Sequence, residues 1–148
     1  MKIRTARPED AAAVADLATQ LGYPTTPEEA EARLRDLETR PENAVLAAEA
    51  DGAVIGWIQV AGAHRIDSEP YVEIAALVVD AARRGGGIGA ELVAAADDWA
   101  VRHGFRTVRV RSNVVRERTH AFYERLGFAR TKSQVVFARP TGRHAWRP

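Results

Sequence analysis

The sequence predicts a single α/β domain, and three observations carry that prediction. Its 148 residues suit one hydrophobic core and are too few for two independent ones. Apolar runs with strand patterning alternate with helical patterns, in the order strand, two helices, three strands, helix, strand, helix, strand. Three consecutive glycines, in the stretch RRGGGIGA at 83–90, stand where a strand hands over to a helix. Glycine there costs backbone entropy, so something must come close to the main chain.

Each element has its own signal. Residues 1–7, MKIRTAR, alternate apolar and charged side chains and read as a strand ended by Pro8. Asp10 opens the next segment, in which Val14, Leu17, Ala18 and Leu21 share a helical face until Gly22 stops it. Thr26 as N-cap, Pro27 in the first helical position and Glu29 reaching back make a capping box, with Ala30, Leu34 and Leu37 as the buried stripe. Two apolar runs meet at Asp51-Gly52, a hairpin signal, and residues 64–70 read as a loop. The run from Tyr71 to Val79 is almost continuously apolar, as a central strand covered on both faces should be. From Ile88, Leu92, Ala96 and Trp99 recur at helical spacing until Gly104. TVRVRSN at 107–113 alternates as a strand, RERTHAFYERLGF at 116–128 reads as a helix closed by Gly127, and ARTKSQVVFAR at 129–139 as a final strand.

Composition excludes several functions. With 46% hydrophobic and 28% charged residues and a formal net charge of +1, the chain has the balance of a water-soluble globular protein and lacks the basic excess of a nucleic-acid binder. It contains no cysteine, which rules out disulfides, thiolate metal sites and a covalent acyl-cysteine. No histidine stands at recognisable metal-ligand spacing, so no metal is expected. No apolar run approaches the roughly 20 residues that span a bilayer, and no signal peptide opens the sequence, so no membrane partner and a cytoplasmic location are expected.

A glycine-rich turn between a strand and a helix is an anion site: bare amides point outward, the helix dipole favours negative charge, and missing side chains admit a phosphate. Arg83 and Arg84 add positive charge. A P-loop would need Lys and Ser or Thr after its last glycine, where Ala90 and Glu91 stand. Gly85, Gly87 and Ala90 fit a dinucleotide fingerprint, but the next strand, TVRVRSN, ends without the acidic residue that would hold a ribose. Arg84, Gly87 and Gly89 fit a third pattern, RxxGxG.

In that third form, ALVVDAARRGGGIGAEL resembles the acetyl-coenzyme A loop of the GNAT acetyltransferase superfamily, and HAFYERLGF resembles its later helix with a characteristic tyrosine. The element order matches over almost the full length. The resemblance implies a single domain over 1–148, with a mixed, mostly antiparallel, splayed sheet flanked by about four helices. It implies an N-acetyltransferase that takes acetyl-coenzyme A as cosubstrate. Amides from Arg84 through Gly85, Gly86, Gly87, Ile88 and Gly89 to Ala90 would hold the diphosphate. The pantetheine arm would lie along Leu77, Val78 and Val79, with the Val78 amide polarising the thioester carbonyl. Glu73, eleven positions before Arg84, is the candidate general base, and a carboxylate part-way down an apolar strand is expected to be buried. Tyr123 is the candidate acid for the leaving thiolate, its phenol being protonated at neutral pH. Where many members carry an asparagine seven residues before that tyrosine, this chain has Arg116, and Asn113 is the nearby substitute for touching the cofactor arm.

The acceptor is expected to be a small-molecule amine, with a peptide or protein amine as the nearest variant. Tyr23, in QLGYPTT, and His64, Arg65 and Asp67, in GAHRIDSEP, are its candidate contacts. His120, in the tyrosine's helix, reads as a surface or packing histidine, and Trp57 and Trp99 as core. A non-catalytic acyl-coenzyme A binder and a dinucleotide enzyme remain as other readings. Many members of the superfamily pair as homodimers, which makes a homodimer the expected assembly.

Overall fold

The computed structural model describes residues 1–112 and 116–142. The chain divides into two compact units, Met1–Arg111 and Ser112–Pro148.

The first unit holds one five-stranded sheet in the order β1 (Lys2–Thr5), β2 (Asn43–Ala50), β3 (Ala53–Ala63), β4 (Tyr71–Val79), β5 (Val108–Val110). Neighbours pair antiparallel except β4 and β5, which are parallel. Between β1 and β2 lie a 3₁₀ turn (Pro8–Asp10), α1 (Ala11–Leu21) and α2 (Pro27–Glu38); α3 (Ile88–Arg102) joins β4 to β5. The mixed sheet and the three-strand meander follow the expected order.

Local chemistry accounts for the boundaries. Thr26 Oγ1 accepts from the Glu29 amide at 3.1 Å while Glu29 Oε1 accepts from the Thr26 amide at 2.9 Å, the reciprocal box expected from the sequence. Asp51 and Gly52 both have positive φ, 52° and 78°, and make the two-residue turn between β2 and β3. Arg4 forks onto Asp10 at 2.8 and 2.9 Å and reaches Glu49 at 2.9 Å, which ties β1, the 3₁₀ turn and β2 together.

The sheet is covered on both faces. One face, with Val45, Ala47, Trp57 and Val78, packs on α1 and α2. Cross-strand partners share a face, and side chains alternate along each strand, so Ile58 and Val60 of β3 turn to the other side, where α3 packs. Ile58, Val60, Val72 and Leu92 are the largest fully buried side chains, each worth about 1.5–3 kcal/mol relative to exposure.

In the second unit, α4 (Glu117–Arg125) ends in a left-handed glycine, Gly127. Its amide donates to Glu124 O at 3.0 Å and that of Phe128 to Tyr123 O at 3.0 Å, a Schellman closure. The final strand expected over 129–139 is not formed: no strand pairing includes these residues, which are exposed. The β-branched pattern of SQVVF describes a side-chain surface suited to a sheet, but a strand also needs a neighbour's hydrogen-bonding groups, and no described residue pairs with this segment. The preceding strand is shorter than expected, three residues within 107–113, for the same reason: only Val72, Glu73 and Ile74 of β4 pair with it.

Candidate active site

The parting of β4 and β5 defines the site. β5 pairs with the first half of β4 only, which leaves the edge of β4 from Ala75 to Val79 without a strand partner among the described residues. The register against β3 shifts at the same place: Gln59 stands opposite Ala76 and Val60 opposite Ile74, so Ala75 is the extra residue of a bulge. A bulge kinks its strand locally, and β4 turns away where β5 stops.

Register also decides which main-chain groups face the free edge. The Asp80 amide donates to Ile55 O at 2.8 Å, so those residues form a hydrogen-bonded pair. Alternation along an antiparallel ladder makes Trp57 and Val78 the next such pair, with Gly56–Val79 and Ile58–Leu77 as the intervening ones. Val78 thus directs its N–H and C=O to β3, and a Cβ built on Gly56 would lie 2.9 Å from Val78 O, as that orientation requires. Leu77 and Val79 direct theirs to the free edge, where Arg84 Nε donates to Val79 O at 3.4 Å. The expectation that Val78 supplies the polarising amide is corrected: its amide is committed to the β3 ladder.

The edge runs into the glycine loop. A 3₁₀ turn, Ala81–Arg83, is held by Gln20, whose Oε1 accepts from the Ala81 amide at 3.0 Å. Gly85 and Gly87 have φ of 89° and 81°, and a Cβ on either would meet nothing within 4 Å. Glycine is needed there for its conformation, while the space beside it stays open. Ile88 is buried and anchors the helix, Gly89 and Ala90 are half-buried, and Arg84, Gly85, Gly86 and Gly87 are exposed. The helical ladder starts only with the Glu91 amide donating to Gly87 O at 3.1 Å, so the amides of the first turn have no partner within the helix. Open space beside two left-handed glycines, first-turn amides and two arginines fit a diphosphate-bearing ligand.

Glu73 stands opposite Ala61 in β3, on the α1–α2 face with Gln59 and Trp57. It is half-buried, 27% exposed, rather than enclosed as expected, and it pairs with Arg111 beyond the end of β5, whose Nη1 lies 3.2 Å from Glu73 Oε1. The neighbouring Arg109 guanidinium lies over the Tyr71 ring, 4.0 Å from its centroid.

On that same face a cleft of about 420 Å³ opens between α1, α2 and the sheet. Its walls are apolar, from Val14, Ala18, Leu34, Val45 and Trp57, and it reaches Ala75 and Ala76 at the bulge. Tyr23 lines it, as do Thr25, Arg33 and Gln59, which the sequence reading did not single out. The signal for Gln59 was present: it is the one polar side chain in the apolar run 53–61.

The other acceptor candidates lie elsewhere. His64 Nε2 meets Glu42 Oε2 and its ring leans on Phe105, 5.9 Å away between centroids. Arg65 and Asp67 bind each other at 2.8 and 2.9 Å. None of the three lines the cleft. Asn113 lies outside the described residues.

In the second unit, Tyr123 is 8% exposed and sits edge-on between Phe122 and Phe128, with ring centroids 5.1 and 5.5 Å away. Burial pushes its phenol up to about 12, so it is protonated across the neutral range. Among the described residues no group of three or more His, Cys, Asp or Glu could hold a metal ion, and no helix is long and apolar enough to cross a membrane.

Residues 11–128 match the family model described as Acetyltransferase (GNAT) family, across both units. The aminoglycoside N(6')-acetyltransferase type 1 of Stenotrophomonas maltophilia is 31% identical over 142 residues, covering 93% of this chain and 92% of that one. The structure of aminoglycoside N-acetyltransferase AAC(6')-Iy in complex with CoA is similar in fold, with a TM-score of 0.83 at 24% identity over 94% of this chain and 93% of that one. Glucosamine-6-phosphate N-acetyltransferase from Arabidopsis thaliana follows with a TM-score of 0.78 at 22% identity over 93% of this chain and 97% of that one. A family match over most of the chain and a 31% identical relative over nearly all of it agree with the free edge and glycine loop: this chain belongs to the acetyltransferase (GNAT) family and is an acyltransferase.

Proposed function

We propose that this chain is an N-acetyltransferase that moves the acetyl group of acetyl-coenzyme A directly onto a primary amine of a small molecule. The observation that carries the proposal is the free edge of β4 running into a glycine loop with open space beside Gly85 and Gly87. Amides from Arg84 to Ala90 hold the diphosphate, and the main chain of Leu77 and Val79 pairs with the pantetheine arm as a further strand would. The Leu77 amide, turned to that edge, polarises the thioester carbonyl. Cysteine is absent from the chain, so the acyl group does not pass through an enzyme thiol.

In the transfer the amine nitrogen bonds to the acetyl carbon and the carbon–sulfur bond breaks. Glu73 takes the proton that leaves nitrogen, directly or through water, and the Tyr123 phenol gives one to the departing thiolate. The relative named for aminoglycoside acetylation supports a small-molecule acceptor, and a cleft of about 420 Å³ is of the size that holds one. We infer that the working assembly is a homodimer. Val135, Val136 and Phe137 are 78%, 83% and 89% exposed, and a second copy supplies the neighbour that SQVVF lacks.

The test is free-thiol release from acetyl-coenzyme A over a panel of amines, with Glu73→Gln and Tyr123→Phe beside the parent. Turnover that falls about 100-fold or more in both, with coenzyme A still bound, supports the assignment. Binding of coenzyme A without turnover on any amine leaves a non-catalytic acyl-coenzyme A binder instead.

A further inference from the structure

The charge of the acceptor cleft bears on what the enzyme acetylates. Its lining is mostly hydrocarbon, with Tyr23, Thr25, Gln59 and Arg33 as its polar members, and no Asp or Glu lines it among the described residues. Glu73, on the same face beside the bulge, serves the reacting amine, but a second ammonium group leaving water for the lining finds no carboxylate there to offset its lost hydration. One amine, arriving neutral to react, is acceptable; further ammonium groups are not.

Two polar side chains of the lining, one on β3 and one on α2, bear on the acceptor. Gln59 rises from β3 opposite Ala76, beside the bulge and the free edge of β4, and its amide has no hydrogen-bond partner among the described residues. It is placed to accept from an N–H of the acceptor at the reacting end. Arg33, on α2, lines the cleft from the helix side and is 65% exposed. Its only ion pair among the described residues is a loose one, Nη2 to Glu29 Oε2 at 3.6 Å, while the other oxygen of that carboxylate, Oε1, accepts from the Thr26 amide. Arg33 is therefore an exposed cation on the cleft wall with capacity for an anion.

We propose that the cleft selects an acceptor with one primary amine, an apolar body and a carboxylate at the far end, the pattern of an ω-amino acid rather than a polycationic amino sugar. The amine lies at Gln59 and the bulge, the body against Trp57, Val45 and Leu34, and the carboxylate at Arg33. This rests on the proposed acetyl transfer for its chemistry but not for its geometry, so binding and turnover test it separately.

Three probes share one body and differ only at the far end: para-(aminomethyl)benzoate, its methyl ester and para-xylylenediamine. Equilibrium binding by calorimetry and kcat/KM by thiol release are measured for the parent, Arg33→Glu and Arg33→Ala. Arg33 is on an exposed helix face, so the variants should fold, and their melting temperatures check this. The expected order is carboxylate, ester, diamine, with about tenfold between the extremes. Arg33→Glu should invert it and Arg33→Ala should flatten it. If the carboxylate binds in that Arg33-dependent order but none of the three is acetylated, the cleft assignment stands and the transferase reading falls. If the diamine equals or exceeds the carboxylate in the parent, if Arg33→Glu leaves the order unchanged, or if no probe binds, the inference is overturned.

Discussion

The amide of Asp80 donates to the carbonyl of Ile55 at 2.8 Å, and this one bond sets the parity of the β3–β4 ladder. It commits Val78 to β3 and turns Leu77 to the edge where β5 has parted. Two adjacent residues of similar size and apolarity thus acquire different duties.

Proline substitution separates those duties, because it removes an N–H. Leu77→Pro loses only an edge-facing donor and should keep native circular dichroism, while kcat falls about 10²–10³-fold, the usual effect of deleting one oxyanion donor. Val78→Pro breaks a ladder bond and should lose secondary structure. Equal loss of fold in both variants would refute the parity argument.

Gly87 and Gly104 make a matched pair. Both have φ of 81°, and a Cβ on either meets nothing within 4 Å. Alanine at each should cost about 1–2 kcal/mol of stability, the strain of a left-handed non-glycine residue. Only Gly87→Ala should also weaken coenzyme A binding, measured by calorimetry, because only there does the new methyl stand in the path of a diphosphate. Unchanged coenzyme A affinity in Gly87→Ala would remove the loop from the binding site.

Burial raises the Tyr123 phenol from 10 to about 12. A folded value above the unfolded one means that this stabilisation is complete below pH 10 and is lost as pH rises through 12. At that point the loss is about 2–3 kcal/mol. Denaturant melts between pH 9 and 12 should show an alkaline decline in the parent that Tyr123→Phe lacks. The same variant should retain coenzyme A binding and lose turnover, since its phenyl ring still packs between Phe122 and Phe128 but has no proton for the thiolate.

The exposed run at Val135, Val136 and Phe137 predicts a sedimentation mass of two chains. Replacing Val135 and Phe137 together by lysine should give a single-chain mass with little change in the melting of the isolated chain. A parent that sediments as one chain at every concentration would set the homodimer aside.

Much of this was legible from residue order, for local reasons. The capping box at Thr26 and Glu29, the Asp51-Gly52 turn and the glycine stops at Gly22, Gly104 and Gly127 are each decided by residues a few positions apart. The glycine loop was legible for the same reason: left-handed conformations and a helix start are properties of a short segment. The sequence by itself thus determined the family, the order of elements as far as α4 and the place of the glycine loop.

Tertiary structure decided everything that depends on pairing. Only register shows that Leu77 and not Val78 faces the free edge, and only the bulge at Ala75 shows where β4 and β5 part. Only the packing of α1 and α2 on the sheet puts Arg33 and Gln59 along one cleft while His64 lies against Glu42 and Phe105. Hydrogen-bond parity and shared faces arise between segments distant in the chain, so no local pattern of side chains encodes them.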